Sequence, residues 1–264
     1  MCVCFLDCFR NVKSWMSNNL LKLNDTKTEA LQVSTSLSAC SVFPSTILLE
    51  TTPVTFSDHV RDLGFHLDQT LSLQYHIMKT CQSAYLELRR ISSIRRYLTQ
   101  SATKTVVTSC VLSKLDYCNS LLVGCPQKLI KPLQQVQNSA AKLIFRAKKT
   151  DHCTPLLKDL HWLPIEQRIK YKIACICFHV ISGTAPLYIS DLLQVYVPSR
   201  SLRSAADDRL FRIPKFHREK HGGRAFAHSA PQIWNSLPFS IRHSSSLPVF
   251  KSNLKTFLFK QYFQ

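Results

Sequence analysis

Glycine is scarce in this sequence. Five residues in 264 leave little for the Gly-rich turns that bring backbone N–H groups against phosphates, which argues against an enzyme built on such a loop. The eleven cysteines include no Cys-x-x-Cys pair. Cys2, Cys4 and Cys8 lie near the N-terminus without matching histidines, so neither a structural zinc site nor any other metal or cofactor is expected. No run approaches the roughly 18–20 apolar residues that cross a bilayer as a helix. The apolar start, Met1–Leu6, is broken by Asp7 and Arg10 before a signal-peptide core can form. The expectation is a reduced, intracellular protein, cytoplasmic or nuclear, without a membrane-spanning segment.

Carboxylates are also in short supply. Sixteen Asp and Glu face 34 Lys and Arg, a formal net charge of +18. Such an excess favours nucleic acid or an anionic membrane surface as partner. It is unevenly placed: residues 1–80 hold six basic against seven acidic side chains, so the whole excess falls after residue 80. That shift marks a candidate boundary.

What is present is mostly helical periodicity. In His161–Pro186, Ile165, Ile169, Ile173, Ile176 and Val180 share one face, and Tyr171, Ala174, Phe178 and Ile181 line a second. Pro164 suits the first helical position, and Gly183 supplies a stop with Pro186 beyond it. Only the first turn and the stripe Arg168–Lys172–Cys175–His179 stay polar, so this segment reads as the buried central helix of a helical domain. Similar spacing predicts helices at residues 3–20, from Leu71 (Ile77, Cys81, Ala84, Leu88, Ile91), after a Thr99 N-cap (Ala102, Val106, Cys110, Leu115), over Leu129–Ile144 around Pro132, in Pro186–Leu193 and at Pro248–Phe263. Lys148–Thr154 reads as a linker. Thr46–Glu50 and Val54–Phe56 suggest a small hairpin, and His59–Asp68 alternates like a strand, with Gly64 at a bulge or close approach. Residues 194–222 look least ordered. The expected fold is α+β, mostly α: a small incomplete antiparallel β layer, then a multi-helix region.

Several phrases resemble one family. WMSNNLLKLNDTKTE (Trp15–Glu29) is similar to the stretch after the catalytic core of LINE-type, non-LTR retrotransposon reverse transcriptases. VRDLGFHLD (Val60–Asp68) resembles the primer-gripping hairpin next to it. SKLDYCNSLLVG (Ser113–Gly124), LQQVQNSAAKLIF (Leu133–Phe145) and HWLPIEQRIKYKI (His161–Ile173) resemble thumb and post-thumb helices. Residues Gly222–Phe259 resemble the family's extreme C-terminal segment. The resemblance implies a palm remnant at 1–70, a thumb-like helical domain at 71–150 and a helical, loop-rich region at 151–264.

Polymerase chemistry in that family uses two metal ions held by aspartates, which the resemblance places before Trp15. The adjacent pair here, Asp207-Asp208, lacks the aromatic-x-Asp-Asp context and reads as solvated loop charge. Lys27 matches a family lysine that assists pyrophosphate departure; without those aspartates it reads as vestigial, a surface lysine beside a turn. No enzyme activity is therefore expected. The implied function is weak, sequence-independent binding of RNA or RNA–DNA hybrid through Arg89, Arg90, Arg95 and Arg96, then Lys142, Arg146, Lys148 and Lys149, and the Arg168–Lys172 stripe. Arg200, Arg203, Arg209 and Arg212 are further candidates. The bland alternative for each is a solvated helix face. Tyr97, Trp162 and Phe216 could stack on bases, but core packing is the first expectation for them. The rival readings are a protein-interaction or self-association module, and a decayed reading frame without a selected role.

Overall fold

The computed structural model describes residues 3–24, 27–34, 46–49, 52–197, 209–215 and 223–263. The fold is mostly helical, with two small antiparallel two-stranded sheets near the N-terminus, as the apolar periodicity implied. The chain divides into two compact units, Met1–Met78 and Lys79–Gln264. The division falls close to residue 80, where the charge balance changes.

In the first unit, α1 (Val3–Asn18) is followed by a hairpin of β1 (Thr46–Leu49) and β2 (Thr52–Thr55) in the register Ile47↔Val54. Ile47, Leu49 and Val54 form a small core with Leu6 and Phe9 of α1, Ala30 and Phe56. The extended run expected at Glu29–Val33 is reduced to one parallel bridge, Ala30↔Phe56. The apolar face of α1 is only partly used, since Val12 and Trp15 are exposed. Lys27 is exposed, and its amide closes a turn on the Asn24 carbonyl at 3.1 Å.

His59–Asp68 is a second hairpin, β3 (His59–Asp62) and β4 (Phe65–Asp68). Leu63 and Gly64, at φ 45° and 89°, make its two-residue turn. Gly64 thus serves a reversal rather than a bulge, because a type I′ turn needs positive φ at both central positions. Asp68 anchors the exit from β4. Its buried carboxylate accepts from the amides of Thr70, Ser72 and Leu73 and from the hydroxyls of Thr70 and Ser72, at 2.8–3.2 Å. Burial alone would raise the carboxyl's pKa, but these bonds outweigh it and hold the value below the usual range.

The second unit is built on long helices. In α2 (Gln74–Ile94), which begins within the first unit, all five apolar positions expected to face inward are buried. Thr99 caps α3 (Gln100–Val107) by accepting from the Ala102 amide at 3.2 Å. The buried face there is Thr103, Val107 and Val111, one residue beyond the expected Ala102–Val106–Cys110 face. Thr103 tolerates full burial because its hydroxyl donates to the Thr99 carbonyl at 2.7 Å. A π-helical turn at Thr108–Leu112 then shifts the phase before α4 (Ser113–Asp116). The helix α5 (Gln127–Phe145) runs through Pro132, and Leu133, Val136, Ala140 and Ile144 are buried along it. The expected linker keeps only its first part, since α6 (Cys153–Asp159) starts inside it.

The central helix, α7 (Ile165–Ile181), has Pro164 at its N-cap and Gly183 at φ 65° past its end. The Thr184 amide closes that end on the His179 carbonyl at 2.9 Å. It packs against α5, against α9 (Phe226–Asn235) and against the terminal helix α11 (Leu247–Phe263). Two short helices, α8 (Leu187–Ser190) and α10 (Phe239–Arg242), also belong to this unit. Phe178, Phe250, Trp234 and Phe211 form an aromatic chain with ring centroids 4.5–6.0 Å apart. Phe211, in the otherwise loop-like region, is held by paired bonds from its backbone to the Asn235 side chain, at 2.8 and 3.0 Å.

The second hairpin carries a pH dependence. His76 is buried, stacks on Phe65 at 3.9 Å and accepts from the His66 amide at 3.4 Å. Burial, reinforced by the charge of His66, depresses its pKa to about 4. Its neutral form therefore stabilises the first unit fully above the unfolded value of about 6.5, and that stability is lost as pH falls from there towards 4. The loss is of the order of 3 kcal/mol. Hydrogen exchange of the β3–β4 amides, corrected for intrinsic rates, should speed up between pH 7 and 4, and His76→Phe should flatten that dependence.

Candidate nucleic-acid interface

Two basic segments far apart in sequence meet in the structure. At the end of α2, Arg95–Tyr97 tighten into a 3₁₀ turn. At the end of α5 the chain turns at Arg146 (φ 53°), leaving the last carbonyls without partners inside their helix. The Arg95 guanidinium supplies them. It is buried and donates to the carbonyls of Leu143 at 3.0 Å, Ile144 at 2.8 Å and Leu98 at 2.7 Å. Arg146 donates back to the Arg95 carbonyl at 3.4 Å, and Lys142 donates to the Lys149 carbonyl. Arg95 is thus committed to closing a helix end, a role that also suits the negative end of its dipole.

The remaining cations differ in how free they are. Arg89 is exposed beside a cleft of about 370 Å³ between α2 and α5, lined also by Tyr85, Ser139 and Leu143. Arg90 pairs with Glu87 at 3.3 Å, and Lys114 meets the same carboxylate at 3.0 Å. The hydrogen bond from Lys114 is the main reason the Glu87 carboxyl lies below its ordinary range. Arg96 is exposed and lies 4.6 Å from the centre of the Tyr97 ring. Tyr97 is 72% exposed and not part of the core, unlike Trp162, which is buried. Arg146, Lys148 and Lys149 are exposed, and the Lys148 amide is fixed by Asp151 at 2.7 Å. One end of the α2–α5 pair therefore presents Arg96, Arg146, Lys148 and Lys149, with Arg89 at the adjoining cleft and the Tyr97 ring exposed beside Arg96.

Arg168 and Lys172 belong elsewhere. They line a pocket of about 310 Å³ with Asp116, Asn119, Tyr171 and Lys255. Arg168 pairs with Asp116 at 2.7 Å and donates to the Leu163 carbonyl at 2.8 Å. Nothing in the sequence linked Lys255 or Asn119 to this stripe, because only tertiary packing joins them. Arg209 donates to the carbonyls of Arg242 and Ser244, so it braces the C-terminal helices. Arg212 is exposed. Arg200, Arg203, Phe216 and the Asp207-Asp208 pair lie outside the described residues.

No family model, no curated protein and no solved structure matches this chain. Among the described residues, no group of three or more His, Cys, Asp or Glu side chains is placed to hold a metal ion, and no helix is long and apolar enough to cross a membrane. Cys81, Cys175 and Cys177 are buried as small apolar groups: burial raises the Cys81 thiol to about 11 and drives Cys177 higher still.

Arg95 and Arg146 should separate in a stability measurement. Arg95→Ala leaves three carbonyls short of a charged donor and should lower the urea-unfolding free energy by at least about 2 kcal/mol. Arg146→Ala, at an exposed side chain, should cost less than about 1 kcal/mol.

Proposed function

We propose that this chain holds RNA or an RNA–DNA hybrid weakly, by its backbone and without sequence preference, as a non-catalytic relative of LINE-type reverse transcriptases. The observation that carries the reading is the gathering of five exposed cations, Arg89, Arg96, Arg146, Lys148 and Lys149, at one end of the α2–α5 pair. Cations gathered where two helices end neutralise phosphates without reading bases. Tyr97, exposed beside Arg96, offers a stacking face that every base can use. The reading assigns no polymerase step to the chain, because phosphoryl transfer of that kind requires carboxylates that hold two metal ions.

Filter binding of an RNA–DNA hybrid across a salt series tests it. With about five phosphate contacts, affinity should fall roughly 10²–10³-fold between 50 and 200 mM salt. Arg146→Glu with Lys149→Glu should make the log–log slope shallower by about 2. A flat, salt-insensitive response would sink the reading, and incorporation of labelled nucleotide on a primed template would overturn its non-catalytic part.

A second reading, self-association, has an observation of its own. Leu187, Tyr188 and Val197 are 75%, 72% and 81% exposed, and Leu192 and Val195 between them are about half exposed. So many large apolar side chains in one short segment form the kind of surface that recruits a partner. On this reading, sedimentation velocity should show concentration-dependent oligomers that Leu187→Ser with Tyr188→Ser abolishes; a monomer at all concentrations removes it.

A further inference from the structure

The polar stripe of α7 opens onto a pocket whose chemistry differs from that of the α2–α5 end. Arg168 in it is already neutralised by Asp116 and pinned to the Leu163 carbonyl. Lys172 and Lys255, from α7 and α11, are exposed, and neither has a carboxylate ion-pair partner among the described residues. Two unneutralised ammonium groups lining one concave space attract a phosphate. Acceptors line the same space. The Asp116 carboxylate is partly exposed, and Asn119 donates to it at 3.4 Å. Asn119 is only 3% exposed, and its side-chain oxygen has no hydrogen-bond donor. A buried acceptor left open is costly until a donor reaches it.

We propose that this pocket binds one ribonucleotide unit, with its phosphate on Lys172 and Lys255 and a ribose hydroxyl donating to Asp116 or Asn119. The volume of about 310 Å³ is at the small end for ligand sites and suits a single nucleotide rather than a duplex. Tyr171, Trp162 and His161, which also line it, supply apolar and ring surface for the rest of the molecule. Acceptors for the sugar hydroxyl give the site a means to distinguish ribose from deoxyribose. The same chemistry is offered by a free nucleoside monophosphate and by the phosphorylated end of a single-stranded RNA. This site goes beyond the backbone-binding surface and shares no residue with it.

Isothermal titration of the full chain with AMP, dAMP, adenosine and a 5′-phosphorylated RNA pentamer tests the assignment. AMP, the pentamer or both should bind, which also identifies the source of the phosphate. Adenosine should bind at least tenfold more weakly than AMP, and dAMP should fall below AMP by severalfold. Lys172→Gln with Lys255→Gln should weaken AMP or pentamer binding tenfold or more while leaving the circular dichroism spectrum unchanged. Arg146→Glu with Lys149→Glu should leave AMP binding intact, so failure here is distinct from failure of the hybrid-binding surface. Absence of binding by both phosphates, or binding of adenosine as tight as that of the phosphate ligand that binds, overturns the proposal; these comparisons need no variant. Equal binding of AMP and dAMP overturns the hydroxyl contact.

Discussion

A small polar network inside the second unit sets the position of everything around it. Gln137, fully buried on α5, donates through its side-chain nitrogen to the Leu163 carbonyl at 2.9 Å. Gln134, one turn earlier, donates to the Gln137 oxygen and accepts from the Ile165 amide, both at 2.9 Å. That amide opens α7 and has no partner within its own helix. Two glutamines thus hold the start of α7 against α5 in one register, because a slip would leave several buried polar groups unpaired. The Leu163 carbonyl also accepts from Arg168, so the network determines where the α7 stripe lies relative to Asp116. The aromatic chain of Phe178, Phe250, Trp234 and Phe211 builds outward from the other end of α7.

Scarcity of glycine is answered by a consistent device. Where the backbone turns into the left-handed region, the chain often uses Leu20, Leu63, Leu71, Leu73, Cys118, Arg146 or His161 instead. Each such residue carries steric strain that its surroundings must offset. Charged side chains do part of this work by occupying backbone groups at the ends of elements. Asp68 gathers the amides around Leu71 and Leu73, Arg95 takes the carbonyls before Arg146, and Arg242 takes those of Asn235 and Leu237. Much of the charge near these turns is therefore structural. Leu20, 97% exposed in such a conformation, is a case for which the packing offers no reason.

This division of labour changes how the basic excess is read. A net charge of +18 invites every cation to be counted towards a nucleic-acid surface. Arg95, Arg209 and Arg242 are occupied by carbonyls, and Arg90 and Arg168 by carboxylates. Two groups of the cations left facing solvent stand in places of different shape. One is an open end of a helix pair, suited to a repeating backbone; the other is a pocket, suited to a single small anion.

The sequence alone determined the helical class, the inward faces of α2 and α5, the Thr99 cap, the Gly183 stop and the first hairpin; of α7 it found Ile165, Ile169 and Ile173, while Ile176 and Val180 are only half-buried and Cys175 of the expected polar stripe is buried. Each is a local matter of periodicity, capping or turn chemistry, decided within a few residues. It misplaced the face of α3 because a π turn and a hydroxyl bonded to its own helix are invisible to a pattern of apolar letters. Its alternation merged β3 and β4 because Leu63 is a poor turn residue by type, although the resemblance of Val60–Asp68 to a hairpin implied the reversal. It offered Arg95 and Arg146 as equals, although one is buried and the other exposed. Only the tertiary structure decided which cations are free, since that depends on which carbonyls and carboxylates arrive from distant segments. Only it brought Lys255 and Asn119 to the α7 stripe, because a pocket is made by elements that no spacing rule connects.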